Sequence, residues 1–270
     1  MPKVGAIFQQ PAERTEDRVS SAGQGVELTD VTVRRGGHVA LAAVNLALPE
    51  SRVGLVGRNG SGKSTLARLV KGLLKPDAGR VRVHGLDPAA RSREAVACVG
   101  FLFQNSDHQI LCPTVVEEIA FGLVEFGTPR REAEDRARTL LAAHHVADWA
   151  ARPVAALSEG QRRLVCLLSV LIMGPRLLVL DEPYAGLDIP TRLRLARFIA
   201  GLPQQVMLIG HAAEDFAGFD RILWLEAGRV ERDGPPEVVL PAFVAAMHRL
   251  AGLGDLGQAD GTEEAAPWVA

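Results

Sequence analysis

A glycine-rich run from Gly57 to Thr65, GRNGSGKST, has the composition and spacing of a phosphate-binding loop. The G-x-x-x-x-G-K-[ST] pattern lets successive backbone N–H groups turn towards one anion at the start of a helix, whose dipole adds positive potential. Lys63 would place a charge on the outer phosphates, and the Ser64 hydroxyl would ligate Mg²⁺. We therefore predict a nucleotide site. Its residues are Gly57, Arg58, Asn59, Gly60, Ser61, Gly62, Lys63, Ser64 and Thr65.

Two adjacent carboxylates, Asp181 and Glu182, end the apolar run RLLVLDEP. Such a strand followed by an acidic helix cap would be ordinary by itself. Downstream of a phosphate loop, however, one carboxylate can hold Mg²⁺ while the next orients a water. We predict that Asp181 binds Mg²⁺ and that Glu182 is the general base that activates the water for phosphoryl transfer.

The segment FLFQNSDHQI, from Phe101 to Ile110, carries polar side chains just beyond another apolar run. It could hold a metal ion, position a water or recognise a partner. Neighbouring Asp107 and His108 on a loop rarely bind one ion together without further ligands, so a transition-metal site is disfavoured. We predict that Gln104 contacts the Mg²⁺ and the attacking water, and that the residues from Asn105 to Ile110 face a partner.

The elements that must position these residues alternate between strands and helices, which predicts an α/β fold with a mainly parallel sheet. Residues 26–48 alternate apolar and polar side chains around the turn RRGGH, a pattern typical of antiparallel strands. Further strands are predicted over 52–57, 80–85, 95–103, 177–183 and 205–211, with a hairpin over 221–230. Helices are predicted over 63–74, within 114–150, over 159–173 and from about Thr191.

The same patterns divide the chain into a leader, one main domain and a short C-terminal region. Residues 1–24 are polar and without periodicity, so we expect a flexible leader. Residues 25–234 would form the domain, with a helical subdomain at about 105–173. Residues 235–270 would add one helix, Pro236 to Leu250, and a tail.

Composition restricts the class of protein. The chain has ordinary globular proportions, 47% hydrophobic and 23% charged residues, and its net charge of −2 argues against a nucleic-acid partner. Its 3 cysteines lack C-x-x-C spacing, which favours a reducing compartment over a disulfide framework or a zinc site. The N-terminus lacks the apolar stretch of a secretory signal. Pro175 and Arg176 interrupt the longest apolar run, so we expect no membrane crossing.

The run LSEGQRR, Leu157 to Arg163, resembles the signature motif of ABC-type ATPases. The phosphate loop, the Asp181–Glu182 pair, the run AGLD ending at Asp188, and His211 complete that family's motifs in the family's order. The resemblance covers about residues 26–232. It implies a RecA-like P-loop core with an antiparallel β-subdomain and a helical subdomain, and it implies ATP and Mg²⁺ as ligands.

In that family the signature serves the ATP of a second ATPase chain, so the resemblance implies a dimer, of two copies or of paralogues, with ATP between the chains. The signature residues are Leu157, Ser158, Glu159, Gly160 and Gln161. The resemblance further implies that His211 contacts the γ-phosphate and that Asp188 links the two sites. Ser158 also begins an S-x-x-Q pattern, which predicts a helix N-cap. Arg35 lies where the family often places an aromatic ring against adenine, so it could stack on the base or form an ordinary solvated turn.

The segment FQNSDHQI followed by TVVEEIAFG resembles the energy-coupling factor (ECF) group of importers. The matching residues are Gln104, Asn105, Asp107, Gln109, Ile110, Ala120, Phe121 and Gly122, whereas His108 and the missing asparagine after Ala-Phe-Gly depart from the pattern. The resemblance implies a peripheral ATPase on the cytoplasmic face of the inner membrane, with a transmembrane coupling subunit and a substrate-binding membrane subunit. The cargo would be a vitamin such as biotin, which the compact chain slightly favours, or cobalt or nickel. A conventional ABC importer, or a non-transport ABC ATPase, is the alternative.

Overall fold

The computed structural model describes residues 25–252. The predicted leader, 1–24, and the last part of the predicted tail, 253–270, lie outside these residues. The strands are β1 (Val26–Arg35), β2 (His38–Leu48), β3 (Arg52–Val56), β4 (Ala78–Val83), β5 (Val99–Leu102), β6 (Leu177–Asp181), β7 (Gln205–Ile209), β8 (Arg221–Glu226) and β9 (Arg229–Gly234). The helices are α1 (Lys63–Val70), α2 (Arg93–Cys98), α3 (Val115–Glu125), α4 (Arg130–Ala143), α5 (Glu159–Leu171), α6 (Ile189–Ala200) and α7 (Pro236–Leu250).

The strands form two sheets. A three-stranded antiparallel sheet has the order β2-β1-β4, and a six-stranded sheet has the order β5-β6-β7-β3-β8-β9. In the larger sheet the first five strands of that order are parallel to one another, and β9 pairs with β8 as an antiparallel hairpin. The predicted α/β class with a mainly parallel sheet is confirmed.

Two hydrophobic cores cover the parallel sheet. One core lies between the sheet and the helices α3, α4 and α5, which fall within the range predicted to be helical. The other joins the sheet to α1 and the antiparallel strands. Strands β5 and β7 are buried along their whole length. This burial on both faces explains why they read as continuous apolar runs rather than as alternating patterns.

One predicted strand was half wrong. Residues 95–103 were expected to be a single strand, but α2 occupies the first part of this run and only β5 is extended. The Ser92 hydroxyl accepts a hydrogen bond from the Ala95 N–H at 3.1 Å and caps α2. Short apolar runs do not distinguish a buried helix from a strand by periodicity, and this cap decided between them.

The strand order places the predicted polar residues along one edge of the larger sheet. Because β5, β6, β7 and β3 are parallel neighbours, their carboxyl ends lie side by side. Gln104 follows β5, Glu182 follows β6, His211 follows β7 and Gly57 follows β3. The candidate site therefore lies at this edge of the sheet.

Candidate functional site

The phosphate loop connects β3 to α1, and its glycines are required by close backbone contacts. A Cβ on Gly57, at φ 149°, would lie 2.2 Å from the Leu225 carbonyl oxygen. A Cβ on Gly62, at φ 110°, would lie 2.8 Å from the Ala40 carbonyl oxygen. Other residues would clash at both positions and would also be strained at these angles. The loop is therefore held in one tight conformation between neighbouring backbone segments.

The first turn of α1 has the features of an anion-binding helix N-terminus. Its N-cap, Gly62, provides no side-chain hydrogen bond, and the turn contains no acidic residue. The N–H groups at this helix end are thus left without a side-chain acceptor, as a phosphate requires. Among the other predicted loop residues, Ser61 is buried, Thr65 is half-buried, and the rest are exposed: Arg58, Asn59, Gly60 and Ser64.

Lys63 is buried in the loop, where its Nζ donates to the carbonyl oxygens of Gly57 at 2.7 Å and Arg58 at 3.0 Å. Burial lowers the pKa of Lys63, and the carboxylates of Glu182 and Asp181 oppose that shift. The lysine therefore faces the same carboxylates that were predicted to bind Mg²⁺ and to activate water.

Asp181 is the last residue of β6, and Glu182 follows it with φ 47°, in the left-handed region. A non-glycine residue there is strained, and the Glu182 N–H is held in place by a 3.0 Å hydrogen bond to the Ile209 carbonyl oxygen. Burial, followed by the charge of Glu182, raises the pKa of Asp181, while Arg68 and Lys63 partly counter this shift. Two crowded carboxylates of this kind fit a divalent cation.

Two of the predicted catalytic side chains, Gln104 and His211, each lie within hydrogen-bond distance of the third, Glu182. Gln104 Nε2 donates to Glu182 Oε2 at 2.7 Å, and His211 Nε2 lies 2.8 Å from Glu182 Oε1. Glu182 is in the middle because β6 lies between β5 and β7 in the sheet. Each of its carboxylate oxygens thus has a partner from a different neighbouring strand, and its orientation is fixed from both sides.

The signature residues begin α5. Ser158 is the N-cap, and the predicted capping box is present: the Ser158 Oγ accepts from the Gln161 N–H at 3.3 Å, and the Gln161 Oε1 accepts from the Ser158 N–H at 2.9 Å. Leu157 is buried, and Glu159 and Gly160 are half-buried. Among residues 25–252, no hydrogen bond or ion pair joins these residues to the phosphate loop. Glu159 instead contacts the segment after β5, where its Oε1 accepts from the Ser106 hydroxyl at 3.0 Å.

In residues 25–252, Asp188 and Arg35 form no hydrogen bond or ion pair with the carboxylates of Asp181 and Glu182. Asp188 is the N-cap of α6, and its Oδ1 accepts from the Thr191 N–H at 2.8 Å. Hydrogen bonding by the side chain of Thr191, and then by its backbone N–H, lowers the pKa of Asp188. Arg35 is exposed at the end of β1, beside the turn to β2. Its neighbour Arg34 uses its backbone N–H to donate to Asp77 at 2.6 Å.

The segment from Asn105 to Ile110 is a short 3₁₀ turn fastened to α5. The Asn105 side chain caps the turn by accepting from the Asp107 N–H at 2.8 Å. Gln109 donates to the Cys166 carbonyl oxygen at 3.0 Å and accepts from the Phe103 N–H at 3.2 Å. The side chains of Asp107 and His108 are exposed.

Two buried charged residues were not singled out from the sequence. Arg163 is buried behind Gln104, and Glu118 is buried beneath the loop that precedes α3. The Glu118 Oε2 accepts from the N–H groups of Leu111 and Cys112, both at 2.8 Å. Their signal in the sequence is weak, because a charged residue within a helix is usually exposed and only the packing shows otherwise.

The comparisons with known proteins agree with this geometry. Residues 41–185 match the ABC transporter family. The biotin transport ATP-binding protein BioM of Rhodobacter capsulatus is 50% identical over 231 residues, which is 86% of this chain and 99% of that protein.

Two solved structures are similar as well. CbiO1 of Clostridium perfringens, part of the ABC transporter complex CbiONQ, has a TM-score of 0.71 at 28% identity, covering 84% of this chain and 95% of that one. The ATP-binding cassette MJ0796, as a dimer with ADP and Pi, has a TM-score of 0.67 at 26% identity, covering 78% of this chain and 98% of that one. In residues 25–252, none of the helices combines the length and the apolar character needed to cross a bilayer.

Proposed function

This chain belongs to the ABC transporter family and is an ATPase, and we propose that it powers the import of biotin through separate membrane subunits of an ECF-type transporter. The observation that carries the ATPase site is the Glu182 carboxylate, held between Gln104 and His211 beside a buried lysine. The relative from Rhodobacter capsulatus, named for biotin transport, supports the cargo. The same name favours the vitamin over the metal ions that the sequence left open.

In the proposed site the loop from Gly57 to Thr65 binds the phosphates of ATP, with Lys63 at the outer ones. Ser64, Asp181 and the side-chain oxygen of Gln104 would hold Mg²⁺, which when bound would supply positive charge beside the phosphates. The Gln104 amide supports this role because its Nε2 is used by Glu182, leaving its oxygen to act as a ligand.

Glu182 acts as the general base for the attacking water. A base must be held within hydrogen-bond reach of the proton it removes, and the two side chains bonded to Glu182 restrict its rotation. His211 is exposed and bonded to Glu182, so it is suited to contact the γ-phosphate. Asp181, one residue earlier, holds the cation rather than the water.

The working unit is a dimer in which the signature of one chain completes the ATP site of the other. The N-terminus of α5 offers an anion the helix dipole and the backbone N–H groups that its capping box does not use, yet among residues 25–252 its polar contacts do not reach the phosphate loop. The dimeric form of the similar cassette supports this arrangement. Two copies of this chain, or this chain and a paralogue, can form such a pair, with Asp188 near their junction.

A surface beside the segment from Asn105 to Ile110 is suited to the membrane subunits. Leu111 is 68% exposed although it is a large apolar residue, and its backbone is held in place by the buried carboxylate of Glu118. A shallow cleft on one side of it includes Ile110, Cys112 and Pro153. A rigid support for an exposed apolar side chain is typical of an interaction surface.

A second cleft continues this surface and adds charge to it. It is lined by Phe121 on α3 and contains three carboxylates, Glu117, Glu125 and Glu134. Arg130 provides the compensating charge through contacts with Glu117 at 2.5 Å and Glu134 at 2.9 Å. The chemistry fits an apolar helix that carries a basic residue, so we propose that a cytoplasmic helix of the coupling subunit docks here and holds the ATPase at the inner membrane.

The test is biotin uptake. Cells that lack other biotin importers would express the full chain with the membrane proteins encoded beside it, and labelled biotin and cobalt uptake would be compared with a Glu182→Gln control. We expect ATP-dependent biotin uptake, and co-purification of a hydrophobic membrane protein in detergent. Cobalt uptake without biotin uptake would overturn the proposal that biotin is the cargo. Recovery of the chain alone as a soluble monomer would count against the transporter itself.

A non-transport ABC ATPase acting on nucleic acid is the second candidate, and hydrolysis assays separate it from the first. It predicts that added nucleic acid stimulates ATP hydrolysis. We expect no stimulation, because the net charge of −2 provides no general electrostatic attraction to phosphate backbones.

Base recognition by Arg35 is part of the proposal and has its own test. If the guanidinium stacks on adenine, Arg35→Ala lowers the affinity for ATP and alters the preference for ATP over GTP. Unchanged affinity for both nucleotides would remove Arg35 from the site.

A further inference from the structure

Arg163 is a fully buried arginine, with 2% of its side chain exposed. A guanidinium cannot lose its charge at ordinary pH, so its burial is costly unless acceptors surround it. Its position on the second turn of α5 brings it behind the segment that follows β5. The hydrogen-bond acceptors of its guanidinium show which segments of the chain Arg163 holds together.

Two of those acceptors are backbone carbonyl oxygens of the catalytic segment. Arg163 Nη1 donates to the Phe103 carbonyl oxygen at 3.1 Å and to the Gln104 carbonyl oxygen at 2.5 Å. The backbone of Gln104 is therefore bound to α5, while its side chain donates to Glu182. Arg163 does not bond to Glu182, the proposed base, directly. It is connected to that carboxylate through Gln104.

The third acceptor is Glu159 of the signature. Arg163 Nη2 donates to Glu159 Oε1 at 3.2 Å, and the same oxygen accepts from the Ser106 hydroxyl at 3.0 Å. Burial alone would raise the pKa of Glu159, but hydrogen bonds from Arg162 and Ser106 and the arginine charges bring it below its ordinary value. Glu159 is thus held as the charged partner that Arg163 needs.

From this geometry we propose that Arg163 is a positioning residue for ATP hydrolysis. With Glu159 it clamps the segment from Phe103 to Ser106 onto the first turns of α5 and so keeps the Gln104 amide on Glu182. The inference rests on the proposed roles of Gln104 and Glu182 and extends them. When the signature of a chain engages the partner's ATP, the same arginine transmits any movement of α5 to that chain's own general base.

The test compares arginine variants of the full-length chain by steady-state ATPase kinetics. Arg163→Met removes every donor but leaves an apolar side chain in the cavity, and Arg163→Lys retains one charged donor. We expect Arg163→Met to lower kcat about ten- to a hundredfold, the scale of a small displacement of a catalytic group, with KM for ATP changed by less than about threefold. Arg163→Lys should recover part of kcat.

Arg162→Met is the matched control. Arg162 also donates to Glu159, at 2.8 Å, and to the Leu157 carbonyl oxygen, and its Nε lies 3.9 Å from the exposed Asp107 carboxylate. Unlike Arg163, it does not donate to the backbone of Phe103 or Gln104. We expect kcat of this variant to stay within about threefold of the unmodified chain. Equal losses in both arginine variants would show that only the local structure of the signature matters, and would overturn the proposal.

A double-mutant cycle separates positioning from a merely structural role. If Arg163 acts through Gln104, Arg163→Met lowers kcat far less in a Gln104→Ala background than in the unmodified chain. Additive losses would overturn the proposal. If Arg163→Met does not fold, as judged by thermal unfolding, Arg163→Lys and Glu159→Gln enter the same cycle in its place. Normal kcat for Gln104→Ala alone would refute the role of Gln104 and this inference, yet leave biotin uptake as an independent test of the transporter.

Discussion

Gly160 of the signature packs directly against Thr191, because a Cβ on Gly160 would lie 2.3 Å from the Thr191 Cγ2. Thr191 lies in the first turn of α6, and its backbone N–H is capped by Asp188. Within one chain, therefore, Thr191 connects Asp188, the residue proposed to link the two ATP sites, to the signature that is proposed to serve the partner's ATP.

This contact predicts a specific steric effect. Gly160→Ala should destabilise the chain by about 1–3 kcal/mol, the usual cost of overpacking, because the new methyl group collides with Thr191. Thr191→Ser removes the colliding methyl group and keeps the hydroxyl, so the double variant should regain most of the lost stability. Urea unfolding of the four proteins measures this, and no recovery in the double variant would contradict the contact.

Replacing the proposed base should separate hydrolysis from nucleotide binding. Glu182→Gln removes the proton acceptor but keeps the shape of the side chain, so we expect hydrolysis to slow by roughly 10² to 10⁴. ATP-dependent dimerisation should persist and can be followed by light scattering. Glu237→Gln, at an exposed position on α7, is the control. Normal hydrolysis by the Glu182 variant would require another base.

Gln104 connects the ATP site to the proposed membrane-facing surface, so its loss should uncouple the two. We expect Gln104→Ala to reduce biotin transport more than it reduces ATP affinity, because the phosphate loop does not depend on the amide. Nucleotide binding, ATP hydrolysis and transport would be measured on the same reconstituted complex. Equal losses of ATP binding and transport would refute this division of labour.

The imidazole of His211 lies 2.8 Å from Glu182 and is proposed to reach the γ-phosphate. His211→Ala should lower kcat by about 10²-fold, the usual effect of removing one group that stabilises the transition state. ATP affinity should change little. His248→Ala, at an exposed position on α7, is the control in single-turnover assays. A large fall in affinity with unchanged kcat would place His211 in binding rather than in hydrolysis.

Glu159 predicts a pH dependence of stability. Its pKa is lower in the folded chain than in the unfolded chain, so its contribution is fully present above the ordinary glutamate value of about 4.3 and is lost as the pH falls through the lower folded value. The difference in free energy of unfolding between the unmodified chain and Glu159→Gln should therefore be greatest near neutrality and shrink in acid. A difference that does not change with pH would show that the carboxylate charge contributes nothing.

Features that depend on near neighbours in the chain could be predicted from the sequence. The phosphate loop and the S-x-x-Q capping box are set by glycine conformations and hydrogen bonds over a few residues, and the helix from Pro236 to Leu250 follows from a local pattern. The alternation of strands and helices was sufficient for the fold class. A short apolar run such as residues 95–103 is compatible with either a helix or a strand. The local pattern therefore predicted the wrong element for its first part, which is a helix.

The sequence by itself determined which residues are candidates to bind phosphate, hold Mg²⁺ and activate water, because these predictions rest on residue type and spacing. Only the tertiary structure decided that Gln104 and His211 flank Glu182, since that depends on β6 lying between β5 and β7. The tertiary structure also decided the burial of Arg163, because the segment after β5 packs against α5. That segment supplies the carbonyl oxygens of Phe103 and Gln104 as acceptors, and α5 itself supplies Glu159. Strand order and burial are set by interactions between segments far apart in the chain, which no local pattern records.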